Sequence, residues 1–376
     1  MNIQPFALER LLSVWENRVE INLSESGLQP LSPSEFLAPS TWEKMFHLPL
    51  GYAQANGLDE LRQTISSLYP GTSPENILVT NGSSEANFVL AWSLLEPGDE
   101  IIIMMPNYLQ IWGIARTLQV TVKEFYLQPE NKWRPDLEKL ADSITERTKL
   151  ISVCHPNNPT GMVFQPEEME KIISLAQANQ IWLHSDEVYR GAELTEKETP
   201  SFWGKYERVI VTAGLSKAYG LAGLRLGWLV APEIIISRAW EAHDYTCITA
   251  GTLSNHLALL ALQPEIRPKI LSRSRQILQR NLQILTSWVK EHADVLDFIP
   301  PQAGGVAFLH YHLPLNSTQL VEQLRDEKSV LVVPGESLGL DKFFRLGLGV
   351  ETSVLQEGLQ RIGEFIRHRK NTRSQD

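Results

Sequence analysis

KLISVCHPNNPTG, residues 149–161, decides the fold, because a β-forming apolar run ends there in a cluster of Asn, Pro and Gly. The same pattern recurs in IWLHSDEVY (181–189) and in RVIVTAGLSKAYG (208–220). Runs that are apolar throughout are typical of strands covered on both faces, as parallel sheets require. We therefore expect parallel strands that bring their polar carboxyl-terminal residues to one edge of a sheet.

The alternation of apolar runs and helical stretches extends over residues 74–230 and predicts an α/β fold. Its expected form is a three-layer large domain built on a mainly parallel sheet, covering residues 46–265. The rest of the chain contains helices with fewer strands, which predicts a smaller α+β domain. This smaller domain is expected to combine residues 1–45 with residues 266–376.

The composition disfavours several classes of protein. With 34 Lys and Arg against 44 Asp and Glu, the net charge of −10 disfavours nucleic acid and anionic membranes as partners. Cys154 and Cys247 are too few for a disulfide framework and lack the spacing of a zinc site. A reducing, cytosolic setting and no bound metal are therefore expected.

The two ends of the chain carry no targeting signal that we can identify. Residues 1–20 have acidic residues within their apolar stretch and lack a signal-peptide cleavage site, so we expect an amphipathic helix. The richest apolar window, IIIMMPNYLQIW, is broken by Pro106 and Asn107 and is too short to cross a membrane. The end of the chain is expected to fray after about Arg367.

Polar residues that could take part in binding or catalysis follow the predicted strands. Gly82, Ser83 and Ser84 begin a predicted helix, where free backbone N–H groups would bind an anion, although an ordinary capping box fits the same residues. Asp186 directly follows a buried strand, so an ionised carboxylate there needs a cation or donor, unless it only caps a turn. Lys217 lies between small residues, where burial would lower its pKa and favour the nucleophilic amine, unless its side chain reaches solvent.

Two other motifs give only weak evidence for a nucleotide-binding protein or a hydrolase. The glycines of GLAGLRLG (220–227) have the wrong spacing for a dinucleotide fingerprint, and no P-loop occurs. GESLG (335–339) matches the GxSxG elbow of α/β-hydrolases, but only Asp341 and His368 follow it as partners, with no sheet between to position them. A hydrolase is therefore disfavoured.

The chain resembles the fold-type I pyridoxal-phosphate enzymes, specifically the aspartate aminotransferase-like class I and II family. The resemblance covers roughly residues 50–350 and has the family's order and spacing. Its matching segments are NGSSEAN, PNYLQIW, HPNNPTG, SDEVY, LSKAYGLAGLRLGW, PGESLG and FFRLGLG. What it implies is a cytoplasmic, homodimeric enzyme that uses pyridoxal 5′-phosphate.

The resemblance also implies roles for residues around the cofactor ring. Lys217 matches the lysine that binds the cofactor covalently and moves the proton at the substrate α-carbon. Asp186 matches the partner of the ring nitrogen, which makes the ring an electron sink. Tyr189 and Asn158 match the donors to the phenolic oxygen, and Tyr108 matches the aromatic side chain that stacks on the ring.

By the same resemblance, the cofactor phosphate would bind the backbone of residues 82–84 and the side chains of Ser216 and Arg225. Tyr52 resembles the tyrosine that reaches the phosphate in the neighbouring subunit. One departure is Gly214, where the family usually has Ser or Thr, so one hydroxyl contact would be lost.

Arg345 matches the arginine that binds the substrate α-carboxylate through two hydrogen bonds. Gly27 matches a glycine that lines this pocket, which Asn158 also borders.

Three hypotheses follow for the function. The first is an aminotransferase that moves an amino group from an amino acid to a 2-oxo acid. The second is a lyase, decarboxylase or cyclase that uses the same Lys, Asp and Arg on an amino acid. The third is a regulator that only borrows the fold. A dicarboxylic substrate would need a second cation, and no Arg or Lys occurs between Ala239 and Arg267.

Overall fold

The computed structural model describes residues 3–195 and 197–373, with side chains up to residue 370. The α-helices are α1 (Ala7–Trp15), α2 (Pro33–Phe36), α3 (Pro39–Met45), α4 (Asp59–Ser66), α5 (Ser83–Leu94), α6 (Gln110–Thr117), α7 (Leu137–Ser143), α8 (Pro166–Ala178), α9 (Glu233–His243), α10 (Thr252–Ala261), α11 (Arg267–Glu291), α12 (Ser317–Lys328) and α13 (Thr352–Arg373). The predicted N-terminal helix is shorter than expected, and Met1 and Asn2 lie outside the described residues.

The strands are mostly short and buried. They are β1 (Ile21–Asn22), β2 (Ile77–Thr80), β3 (Glu100–Met105), β4 (Thr121–Gln128), β5 (Arg134–Pro135), β6 (Thr148–Cys154), β7 (Trp182–Asp186), β8 (Val209–Gly214), β9 (Gly227–Val230), β10 (Leu296–Phe298), β11 (Val306–Tyr311), β12 (Val330–Leu331), β13 (Val333–Pro334) and β14 (Phe343–Gly347).

The large sheet has eight strands in the order β2-β9-β8-β7-β6-β3-β4-β5. Its five central strands, β8, β7, β6, β3 and β4, are parallel to one another. The outer strands are antiparallel to the strands beside them: β9 to β8 and β2, and β5 to β4. The predicted mainly parallel α/β sheet is therefore confirmed. Its inner strands β3, β6 and β8 are mostly apolar and buried, as is typical of strands covered by helices on both faces.

Alternate residues of one strand show the three layers. In β3, Ile101 and Ile103 pack into a core that includes residues of α5, α6 and α9. Ile102 and Met104, pointing the opposite way, pack into the main core with residues of α4 and α8. Since successive side chains of a strand point to opposite faces, helices lie on both sides of the sheet.

A second, four-stranded antiparallel sheet has the order β10-β11-β14-β13. Helices α11, α12 and α13 accompany it, which gives the expected α+β character to this part of the chain. The N-terminal strand β1 pairs in parallel with β12, so the beginning of the chain joins this region. The predicted domain limits, 46–265 against 1–45 and 266–376, stay a prediction.

The chain does not fray directly after Arg367, contrary to expectation; the part of that expectation that concerns residues 374–376 lies outside the described residues. Helix α13 continues to Arg373. Arg369 pairs with Glu327 of α12, and Lys370 pairs with Asp294. These contacts hold the last turns of α13 against the rest of the protein.

No helix among residues 3–195 and 197–373 is long and apolar enough to cross a membrane. Cys154 and Cys247 are both free, as expected. The cytosolic setting stays a prediction.

Candidate active site

The carboxyl ends of three neighbouring parallel strands meet at one edge of the large sheet. Cys154 at the end of β6 lies opposite Asp186 at the end of β7, which lies opposite Thr212 near the end of β8. The loops that follow these strands carry Asn158, Tyr189 and Lys217. This edge is where doubly wound sheets bind ligands.

A cavity of about 430 Å³ opens at this edge, and we call it the Lys217 cavity. Most of the residues predicted for the site line this cavity. They are Ser83, Ser84, Tyr108, Asn158, Asp186, Tyr189, Ser216, Lys217, Arg225 and Arg345.

Lys217 forms an ion pair that the sequence did not suggest. Its Nζ lies 3.0 Å from Oε1 of Glu25. Burial alone would lower the pKa of Lys217, but the carboxylate of Glu25 outweighs it and the pKa is raised. In turn, the charge of Lys217 lowers the pKa of Glu25 to about 2. The expectation of a lowered lysine pKa is therefore wrong for the protein without ligand, because that argument counted burial and no partner.

Asp186 is held in place by weak donors. The backbone N–H of Val188 donates to Oδ1 at 3.1 Å, and the side-chain amide of Asn87 lies 3.5 Å from Oδ2. Among the described side chains, none forms an ion pair with Asp186. Burial raises the pKa of this carboxyl to about 6. A cation placed against Asp186 would remove this cost.

Two buried groups in the cavity lack partners. The hydroxyl of Tyr189, 2% exposed, has no hydrogen-bond partner of acceptable geometry among the described residues, and neither does Nε of Arg345, 1% exposed. The other nitrogens of Arg345 donate to Oδ1 of Asn158 at 3.1 Å and to the carbonyl of Ser24 at 2.8 Å. Since buried polar groups are normally paired, these atoms indicate where a polar ligand binds.

The N-terminus of α5 lies beside the guanidinium of Arg225. Gly82 is the helix N-cap, with a φ of 85°, and no side chain caps the helix, so the capping-box interpretation is wrong. A Cβ at Gly82 would lie 2.7 Å from Nη2 of Arg225, and one at Gly227 would lie 2.3 Å from the backbone N of Ser83. Glycine at both positions therefore lets the guanidinium and the helix N–H groups converge. Ser216 Oγ lies 3.5 Å from Nη1 of Arg225.

The glycine that departs from the family pattern also has a steric reason. A Cβ at Gly214 would lie 3.0 Å from the carbonyl of Leu226 and 3.1 Å from Cα of Gly227. A Cβ at Gly27 would lie 3.7 Å from Cδ of Lys217, so Gly27 borders the cavity. Tyr52, in contrast, is 87% exposed and does not line the cavity of its own chain.

Sequence reasoning missed one wall of the cavity. Helix α1 contributes Glu9 to this wall and its C-cap residue Glu16 lines the cavity as well, while strand β1 leads to Glu25. Glu9 accepts a hydrogen bond of 2.8 Å from the hydroxyl of Tyr108, whose ring lies 4.9 Å from that of Phe6. The amphipathic pattern of residues 1–20 predicts this helix. Its position over the cavity, however, depends on contacts with residues distant in the sequence.

The hydrolase motif has no catalytic surroundings. Ser337, in a 3-10 helix over Gly335–Leu338, donates to the carbonyl of Pro334 at 2.7 Å. Asp341 accepts from the backbone N–H of Ser317. Both side chains thus serve nearby backbone groups, as turn and capping residues do.

Comparison with known proteins gives a consistent result. The model of the family "Aminotransferase class I and II" matches residues 27–362. An aspartate aminotransferase of Sulfurisphaera tokodaii is 31% identical over 84% of this chain and 82% of its own length. A capreomycidine synthase of Streptomyces vinaceus is 30% identical over 82% of this chain and 79% of its own. The crystal structure of a PLP-dependent aminotransferase from Streptococcus suis superposes with a TM-score of 0.92 at 33% identity, covering 98% of this chain and 99% of the other.

Proposed function

The chain belongs to the family of class I and II aminotransferases, and on that premise we propose that it moves an amino group between an amino acid and a 2-oxo acid. It is an enzyme whose cofactor is pyridoxal 5′-phosphate. A regulator that only borrows the fold is therefore not the function. The observation that carries the proposal is the Lys217 cavity, which brings together an amine, the half-buried carboxylate of Asp186 and a buried arginine nitrogen without a partner among the described residues.

The phosphate end of the cavity fits the cofactor. We assign the phosphate to the N–H groups at residues 82–84, with Ser216 and Arg225 as side-chain partners. A dianion at a helix N-terminus beside an arginine is well compensated. The close approach of Gly82 to Arg225 leaves no room for a side chain there, in keeping with this assignment.

The ring end of the cavity also fits. Asp186 would hold a proton at the ring nitrogen, which would give its carboxylate a cationic partner. The unpartnered hydroxyl of Tyr189, together with the amide of Asn158, would donate to the phenolic oxygen. Tyr108 would pack against the ring. When bound, the cofactor withdraws electrons from the substrate α-carbon and carries the amino group between the two substrates.

Lys217 is assigned two tasks. Its Nζ would bind the cofactor covalently in the resting enzyme and, once released, would take and return the proton at the substrate α-carbon. Glu25 holds this amine 3.0 Å away and keeps it positioned. Arg345 would bind the α-carboxylate through its free Nε side, with Gly27 and Asn158 bordering that place.

We propose further that the enzyme is a homodimer with shared sites. Large apolar side chains are exposed in two segments of the chain. The hydrogen bond from the hydroxyl of Thr252 to the carbonyl of Gly51 shows that these segments lie side by side. They are Phe46, Leu50, Tyr52, Tyr245, Ile248 and Leu253. A surface of this kind is typical of an interface. In a dimer, Tyr52 would reach the phosphate of the other subunit.

Tyr52→Phe tests the shared site. If the hydroxyl of Tyr52 binds the partner's cofactor phosphate, the variant should bind the cofactor about 3- to 30-fold more weakly, since one hydrogen bond to a charged group is lost. Tyr126→Phe is the matched control, because Tyr126 is 40% exposed and bonded to Glu124 instead. Cofactor titration by absorbance and mass by light scattering are the measurements. A monomer with wild-type affinity in both variants would contradict the shared site.

A second candidate is a lyase, decarboxylase or cyclase. Two observations favour it: the relative named capreomycidine synthase, and the carboxylate of Glu25 beside Lys217, which would supply a second acid–base group. The same Lys, Asp and Arg serve both candidates, so the residues alone do not separate them.

Half-reaction spectra separate the two candidates. The holoenzyme is mixed with one amino acid and no 2-oxo acid. Transamination should convert the bound cofactor fully to its pyridoxamine form, with one equivalent of 2-oxo acid and no ammonia. Release of ammonia or carbon dioxide while the original absorbance returns would contradict the proposal and support the second candidate.

A further inference from the structure

We propose that the amino-acid substrate carries a positive charge at the end of its side chain, a guanidinium or an ammonium group, which Glu9 and Glu16 bind. This inference rests on the proposed function and assigns the substrate class of the same cavity.

Glu9 lies on α1, and Glu16 is the C-cap residue of this helix and keeps helical backbone angles. Residues 9, 12 and 16 are three and seven positions apart, so they share the helix face that covers the cavity. Glu9, Leu12 and Glu16 all line the Lys217 cavity. Leu12 thus lies between the two carboxylates along the helix. This arrangement suits a side chain with an apolar stem and a charged end.

Glu9 lies within electrostatic range of Arg345 but accepts its hydrogen bond from Tyr108 instead. Among the described residues, neither Glu9 nor Glu16 takes part in an ion pair; Glu9 accepts only the hydroxyl hydrogen bond from Tyr108. Burial, and then the negative charges of Glu25 and Glu9, raise the pKa of Glu16. This end of the cavity therefore has a negative potential that a bound cation would relieve.

The buried guanidinium of Arg345 fixes where the substrate α-carboxylate lies. Arg345 is 1% exposed and its Nε has no partner among the described residues, so it provides a preformed binding site for a carboxylate. The unpartnered hydroxyl of Tyr189 lies in the same cavity. With the α-carboxylate at Arg345 and the α-carbon at Lys217, a long side chain extends toward the remaining wall, where α1 lies.

Each positively charged side chain that lines the cavity already has an assigned partner. Lys217 is paired with Glu25, Arg225 belongs to the phosphate site, and Arg345 takes the α-carboxylate. No other Lys or Arg of the described residues lines the cavity. A dicarboxylic substrate would thus place its second carboxylate against Glu9 and Glu16 without a cation from this chain, which is unfavourable.

The test compares charged amino acids with neutral ones of the same shape on the holoenzyme. L-arginine should give a kcat/KM about 10-fold above that of L-citrulline, and far above those of L-aspartate and L-glutamate, since the neutral analogue loses the ion pairs with the exposed Glu9 and the half-buried Glu16. L-lysine against L-norleucine shows whether ammonium serves as well as guanidinium. Calorimetric binding of desamino-arginine and desamino-citrulline gives the same comparison without turnover.

Glu9→Gln and Glu16→Gln identify the carboxylates. Each variant should reduce the arginine-to-citrulline ratio of kcat/KM by about 3-fold, mainly through KM, because Gln keeps the shape and removes one of the two charges that together give a ratio of about 10. Glu170→Gln, at an exposed position on α8, is the matched control and should keep the wild-type ratio. Unchanged ratios in both variants, or equal use of glutamate and arginine, would overturn the inference and leave the proposed function intact. Failure of every amino acid to convert the cofactor would remove both.

Discussion

The Lys217→Ala variant is expected to lose turnover almost completely, with kcat reduced by about 10⁴-fold or more. The amine is the one group that both binds the cofactor covalently and reaches the substrate α-carbon in this account. Asp186, Tyr189 and Arg345 remain in the variant, so non-covalent cofactor binding should persist with a shifted absorbance. A small soluble amine should restore part of the activity, because it can move the same proton.

The control for this variant is Lys205→Ala, since Lys205 is exposed and distant from the cavity. It should keep wild-type turnover and absorbance. If Lys217→Ala kept more than about a tenth of the wild-type kcat, the assignment of Lys217 to proton transfer at the substrate α-carbon would be wrong.

Asp186→Asn is expected to change activity and stability in opposite directions. The variant cannot hold a proton at the ring nitrogen, so kcat should fall by about 10²- to 10³-fold, as when a preorganised charge partner is removed. KM should change less, because Arg345 still binds the substrate carboxylate.

The stability effect depends on pH in a defined way. Burial raises the pKa of Asp186 to about 6 in the folded protein. Since the folded state then holds its proton more tightly than the unfolded state, this group costs stability as pH rises from about 4 through about 6. The apoprotein of Asp186→Asn should therefore be more stable than wild type by about 1 to 3 kcal/mol at pH 8, with a smaller difference near pH 4.

Urea unfolding of both apoproteins at the two pH values measures this difference, and the half-reaction measures the kinetics. In the holoenzyme the stability advantage should shrink, because the cofactor gives Asp186 of the wild type a cationic partner. A variant that is less stable than wild type at pH 8 and equally active would contradict the assigned role of Asp186.

The carboxyl edge of the sheet was predictable because the evidence for it is local. Apolar runs mark the buried strands, and the polar residues that follow each run reach the edge whatever the rest of the chain does. Asn158, Asp186 and Lys217 come from three such loops, and the structure brings them to one cavity. The parallel register then aligns Cys154 with Asp186.

The α1 wall was not predictable because it depends on distant contacts. Glu25 and Lys217 are 192 positions apart in the sequence. Their pairing follows from β1 joining β12 and from α1 lying over the sheet edge. Burial alone therefore gave the wrong direction for the pKa of Lys217. The ion pairs of Arg369 and Lys370 with other elements likewise extended α13 beyond the predicted end.

The central claim is that the cofactor is bound covalently at Lys217. The most direct measurement is to reduce the holoenzyme with borohydride, which makes the bond to the enzyme permanent, then digest it and locate the added mass by peptide sequencing. The account predicts the added mass on Lys217 alone, in the peptide that contains LSKAYG. The added mass on another lysine, or on none, would contradict it.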